Sequence, residues 1–174
     1  MNPSSNPPPS SAPRLSRPID AYARFIGTWE GEGEVTGTTS YEWLPGGYFI
    51  VERVSLVQRG HPLEGVAVIG QARASRGAPS PDVVARFYDS EGNSIDYVYE
   101  LSGDHLTIWI EERGSDAVFE AELEDDSTVL RGRWRYPGGT EFDTAVRKIS
   151  DLPDFDPMLA LDLGKSVAPG VDPS

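Results

Sequence analysis

Phe25-Ile26-Gly27-Thr28-Trp29-Glu30-Gly31-Glu32-Gly33-Glu34-Val35 alternates strictly, with Trp29, Gly31, Gly33 and Val35 on one face and Glu30, Glu32 and Glu34 on the other. A period of two with charge on one side marks a β-strand with one wet and one covered face. The stretch reads as the opening strand of a small closed β-barrel, spanning 28–36, with Gly31 and Gly33 letting it curve. Gly31-Glu32-Gly33 lies inside a strand, lacks a strand-to-helix context and carries no lysine, so it is not a phosphate loop. A strand glycine more often marks a bend or a close backbone approach.

Working outward, Ile19 to Phe25 offers Asp20 as the cap of a short helical turn that carries Tyr22, Ala23 and Phe25 against one end of the barrel. Residues 1–17, built from Pro, Ser and Asn, cannot bury enough apolar area to offset their ordering entropy and are expected to form a disordered N-terminal tail. Downstream, nine further strand-like segments follow at short, even spacing: 39–45, 48–58, 63–74, 82–89, 93–101, 104–112, 117–124, 128–136 and 139–149. No helical period interrupts them. The fold class is therefore all-β, a single antiparallel up-and-down barrel of about ten strands over residues 18–150, with a short helical turn before it. A barrel of ~130 residues buries roughly two-thirds of its unfolded surface.

The hairpin registers agree on which face is apolar. A bulged turn at Ser90-Glu91-Gly92 sets Phe87 opposite Ile95, Ala85 opposite Tyr97 and Val83 opposite Tyr99, with Arg86 opposite Asp96 on the other face. A tight turn at Asp126-Ser127 sets Phe119 opposite Trp134, Ala121 opposite Gly132 and Leu123 opposite Leu130. The turn Pro137-Gly138-Gly139 sets Trp134 opposite Phe142. Arg131, Arg133 and Arg135 then form an outer ladder flanked by carboxylates, which fixes register and not a nucleic-acid stripe. If Arg113 to Asp116 form the next turn, Ile110, Ile108 and Leu106 face Phe119, Ala121 and Leu123, leaving His105 and Trp109 outside. At Pro45-Gly46-Gly47 one register joins Trp43 with Ile50 inside and puts Glu42 and Val51 outside, and one charge, Glu52 or Arg53, turns inward.

Composition narrows the function classes. The net charge of -13 argues against nucleic acid and anionic membrane surfaces. With no cysteine there is no disulfide framework, thiolate nucleophile or cysteine metal site, and two histidines, His61 and His105, leave little for a metal cluster. Met1 to Pro18 holds no apolar run, so the expectation is a cytoplasmic protein, monomer or homodimer, without a signal peptide or membrane span. After Ile149 the pattern stops. Residues 151–174 are acidic and carry Pro153, Pro157, Pro169 and Pro173, and are expected to be mostly disordered. Within them Phe155, Met158, Leu159, Leu161 and Leu163 form an apolar cluster, read as a loosely docked tail in preference to a lid or a dimer contact.

Gly27-Thr28-Trp29 at the head of the first strand, an antiparallel meander, and Val146-Arg147-Lys148 at its close resemble the calycin superfamily: the lipocalins, fatty-acid-binding proteins and nitrobindins. The likeness is closer to a group of lipocalin-like bacterial domains of unassigned function. These share the Gly-Thr-Trp-x-Gly-x-Gly start, a segment like Tyr41-Glu42-Trp43-Leu44-Pro45-Gly46-Gly47-Tyr48-Phe49, the Phe87-Tyr88-Asp89-Ser90-Glu91-Gly92 turn and a Gly132-Arg133-Trp134 strand. The resemblance covers about residues 24–149. It implies that Trp29, after Gly27, plugs one end of the barrel beneath a basic side chain, Arg147 or Lys148; strand parity favours Lys148, stacking chemistry Arg147.

The superfamily also implies an interior cavity for a small, mostly apolar molecule. The registers supply inward candidates for binding it: Trp43, Val83, Phe87, Tyr97, Tyr99, Ile108, Phe119, Trp134 and Phe142. The same side chains can instead meet and fill the barrel. Nitrobindins hold haem through a last-strand histidine, and Glu141-Phe142-Asp143-Thr144-Ala145-Val146 has none, so no cofactor is expected and haem is disfavoured, with tyrosine ligation left open. There is no Gly-x-Ser-x-Gly elbow, and Glu111-Glu112 and Asp125-Asp126 read as solvated. The expected function is a lipocalin-like binder of a small hydrophobic or aromatic molecule. Its alternatives are a cofactor-free cyclase or isomerase using Tyr97, Tyr99 and an inward Glu52 or Arg53, or a filled barrel that serves protein interaction.

Overall fold

A computed structural model describes residues 17–58, 60–73 and 78–153. Almost all of the expected N-terminal tail, and the apolar cluster from Phe155 to Leu163, lie outside these residues. Ten antiparallel strands close into a barrel in the order β1-β10-β9-β8-β7-β6-β5-β4-β3-β2. They are β1 (Gly27–Glu32), β2 (Val35–Trp43), β3 (Phe49–Gln58), β4 (His61–Arg73), β5 (Pro79–Asp89), β6 (Ser94–Ser102), β7 (His105–Ile110), β8 (Val118–Glu124), β9 (Val129–Tyr136) and β10 (Thr140–Ser150). This closed antiparallel meander is compatible with a calycin-like fold. Among the described residues no helix is long and apolar enough to cross a membrane.

The quoted stretch is shorter as a strand than its alternation suggests. β1 ends at Glu32 and the chain turns at Gly33-Glu34, where Gly33 takes a φ of +81°. Gly31 makes this possible, because a Cβ there would stand 2.6 Å from the Val35 carbonyl oxygen. Val35 therefore opens a second strand, still facing inward and 3% exposed.

Preceding β1, Pro18–Phe25 forms a 3-10 helix, with proline at the start where its missing N–H costs nothing. Asp20 lies inside this helix and not ahead of it. Its carboxylate accepts from the Arg17 backbone N–H at 2.7 Å and from the Arg17 guanidinium, which is half of a capping box. Ile19, Tyr22 and Phe25 are buried against the end of the barrel where β1 begins.

Trp29, 1% exposed, anchors that closed end. Its indole N–H donates to the Phe25 carbonyl at 2.7 Å. The cation above it is Lys148, whose Nζ lies 5.3 Å from the ring centroid and donates to the Arg24 carbonyl at 2.9 Å. Arg147 points outward to Glu32. Parity explains the choice: Trp29 pairs with Lys148 across the β1–β10 seam, so both side chains enter the barrel. Lys148→Met should therefore cost about 1–3 kcal/mol by chemical denaturation, whereas Arg147→Met, which breaks an exposed pair, should cost no more than about 1.

Most expected registers are found. Phe87 meets Ile95 and Arg86 meets Asp96, Phe119 meets Trp134, and Trp134 meets Phe142. The outer ladder joins Arg133 to Asp143 at 2.7 Å, Arg135 to Glu120 at 2.5 Å and Arg131 to Glu124 at 3.3 Å. Two turns differ. Asp125, Asp126 and Ser127 are all left-handed, so the β8–β9 turn is wider than a two-residue one, yet Leu123 still pairs with Leu130. The β7–β8 pairing is displaced by two residues: Ile108 faces Phe119 and Leu106 faces Ala121. There Ile110 N–H already bonds the Ala117 carbonyl at 2.9 Å and Glu111 is left-handed, so the loop starts earlier. A slip of two preserves the faces. Trp109 stays outside under the Arg113 guanidinium, and His105 stays outside, paired with Glu122 at 2.6 Å.

Candidate functional site

The barrel is not filled. A cavity of about 210 Å³ runs between the sealed end and the end that carries the Gly33-Glu34, Gly92 and Pro137–Gly139 turns. Phe87, Tyr97, Tyr99, Ile108, Phe119, Trp134 and Phe142 line it, as their inward parity on β5 to β10 requires. Trp43 and Val83 also point inward, but they pack into the core at the sealed end and do not reach the cavity wall.

The aromatic wall has an order. Phe119 and Trp134 stack at 5.0 Å, Trp134 and Tyr136 at 5.8 Å, and Tyr136 and Phe142 at 6.1 Å. Joined to this ladder through Tyr97, whose ring lies 6.4 Å from that of Trp134, Phe87, Tyr97, Tyr99 and Tyr22 meet edge to face at 6.1–6.4 Å. Glycines make room for the rings. A Cβ on Gly65 would stand 2.2 Å from the Phe87 ring, and one on Gly132 would stand 2.8 Å from the Phe119 ring. Aromatic side chains laid over strand glycines leave flat apolar surfaces facing the cavity.

Among the described residues, Glu52 is the one acidic side chain on the cavity wall. The pairing of Trp43 with Ile50 places it: two residues further along, Tyr41 lies opposite Glu52 and both turn inward, while Arg53 turns out to Glu42. The Tyr41 hydroxyl donates to Glu52 Oε1 at 2.9 Å. Glu52 is half-buried and lines the cavity. Burial pushes its carboxyl up to about 7, and the Tyr41 hydrogen bond only partly offsets this. Among the described residues Glu52 forms no ion pair. Burial also raises the phenols of Tyr97 and Tyr99, with the Glu52 charge adding to it.

Thr39, Gln58 and Thr144 also line the cavity. Thr144 Oγ1, on β10, is buried and has no hydrogen-bond partner among the described residues. Neither histidine lines the cavity, and among the described residues no cluster of three or more His, Asp or Glu could hold a metal ion. Tyr41, Tyr136 and Thr144 were not among the residues expected from sequence to bind, although strand parity from Trp43, Trp134 and Phe142 points each of them inward.

Comparison with known proteins adds no family: no protein-family model matches this chain, and no curated protein does.

Proposed function

We propose that the protein binds a small, largely aromatic molecule inside a calycin-like barrel. The observation that carries this reading is the aromatic-walled cavity of about 210 Å³, with rings stacked along one side and an inward Glu52–Tyr41 pair on the other. At this volume it is smaller than the roughly 300–1,000 Å³ pockets of drug-sized ligands, so it favours a compact occupant. The Trp29–Lys148 seal supports the calycin reading, since it closes one end and directs entry through the other.

Native mass spectrometry of protein purified from its source tests the proposal. A retained small molecule is the expected result; a clean apo mass, with no thermal shift across small aromatic compounds, would overturn it. Trp134→Ala should weaken binding of 2-phenylethanol about tenfold by removing the central ring of the stack. Equal affinity in a variant with native circular dichroism would place the site elsewhere.

Glu52 also favours a second reading, a cofactor-free isomerase or cyclase. A carboxyl near 7 beside a phenol is suited to moving a proton at neutral pH. Under that reading a bound molecule is recovered chemically altered, and Glu52→Gln returns it unchanged.

A further inference from the structure

Among the described residues the cavity wall carries a single ionisable carboxyl, Glu52, beside neutral hydroxyls and the Gln58 amide. Glu52 lines the cavity, its Oε1 takes the Tyr41 hydroxyl, and among the described residues it makes no ion pair with a cation. Tyr41, Tyr97 and Tyr99 line the same cavity, close enough for the Glu52 charge to act on all three phenols. Rings attract a cation through their negative faces, and an unpaired buried carboxylate attracts one more strongly. From the observations on Glu52 and its ring of phenols we infer that the occupant is a compact aromatic amine, bound with its ammonium on Glu52 among the tyrosines and its ring against Trp134. This rests on the reading of the cavity as a ligand site.

The surroundings agree with a cation and oppose an anion. The titratable groups facing the interior are phenols: Tyr22 on the helix, Tyr41 on β2, Tyr97 and Tyr99 on β6 and Tyr136 on β9, all raised chiefly by burial and therefore uncharged near neutrality. β5 adds Asp89 at the open end, held ionised by the Asn93 side chain and by turn amides. β4 places only Ala67 opposite Glu52. Lys148 on β10 is the inward cation, and it is engaged at the sealed end by the Arg24 carbonyl, the Trp29 ring and Asp151. A net charge of -13 concentrates cations around the whole molecule.

Calorimetric titration with three probes of one shape tests this: 2-phenylethylamine, 2-phenylethanol and phenylacetate. At pH 8 the amine should bind wild-type protein about tenfold or more tighter than the alcohol, and the carboxylate should bind weakest. Amine affinity should fall about tenfold per unit as the pH drops below the carboxyl midpoint near 7, because a proton must leave Glu52. Glu52→Gln should erase the preference for the amine over the alcohol. Equal or tighter binding of the alcohol, or a preference that survives in Glu52→Gln, overturns the inference and leaves the cavity reading standing. Failure of the amine to bind at all also overturns it, and the native mass of source-purified protein then decides the broader reading separately.

Discussion

Glu52→Gln should stabilise the folded protein by about 3 kcal/mol at pH 8 and leave it unchanged below pH 4. The reason is that the barrel disfavours the ionised form of this carboxyl, which prevails only above its midpoint near 7. In the unfolded chain it titrates at an ordinary 4.5, and in the fold at about 7. Between those values the folded state keeps a proton that the unfolded state has released, so the stability of the wild-type protein falls as pH rises from about 4.5 to about 7 and then levels off. Glutamine keeps an oxygen for the Tyr41 hydroxyl and cannot ionise, so the slope disappears. Asp89, Asp96 and Asp143 act in the opposite sense and in a lower window. Their carboxyls are lowered chiefly by Asn93, Arg86 and Arg133 respectively, so the stability they add is lost only as pH falls below the usual carboxylate range. Urea denaturation of both proteins from pH 4 to pH 8 checks this. Parallel curves would mean that Glu52 is solvated.

Trp29→Ala should cost about 3–5 kcal/mol, a large fraction of the roughly 5–15 kcal/mol that holds a domain together. Three losses coincide at one residue. The ring is 1% exposed and fills the sealed end, the Phe25 carbonyl loses its indole donor, and the Lys148 ammonium loses the ring beneath it. Trp29→Phe keeps much of the volume and should cost about 1–3 kcal/mol, mainly for the orphaned carbonyl. Melting temperatures of the two variants separate packing from hydrogen bonding. If both fall equally, the indole N–H carries the effect.

Much of this barrel is legible because its strands are wet on one side. Alternation from β5 to β10 forces each hairpin to match apolar with apolar and Arg with Asp or Glu, so Phe87–Ile95, Phe119–Trp134 and Arg133–Asp143 follow from turn position and parity alone. Where turns carry left-handed non-glycine residues, at Glu111 and at Asp125 to Ser127, loop length is hidden, because aspartate only favours that conformation and the side chains of Glu111 and Ser127 do not announce it. The displacement by two residues at β7–β8 survived for the same reason that it did no harm: it leaves every face unchanged. Glu34 gave no sign of a turn, since a glutamate in a two-residue bend continues the alternation of Glu30 and Glu32. The inward pair was harder still. Trp43 opposite Ile50 already implies Tyr41 opposite Glu52, but an inward carboxylate conflicts with the rule that charges face water. That conflict is what sets the Tyr41–Glu52 pair apart from the rest of the wall.

The β1–β10 seam has a consequence in time. Lys148 reaches the Arg24 carbonyl across 124 positions of sequence. At a synthesis rate of about 5–20 residues per second, β1 waits roughly 6–25 seconds for the strand that will cover its free edge. During that interval an unpaired edge can recruit a strand from another nascent chain. Glu30 and Glu32, exposed on the outer face of β1, place like charges along any such stack and resist it. Their greatest effect therefore falls before closure, and replacing both with threonine should lower the yield of soluble chain during expression more than it lowers the melting temperature of the finished barrel.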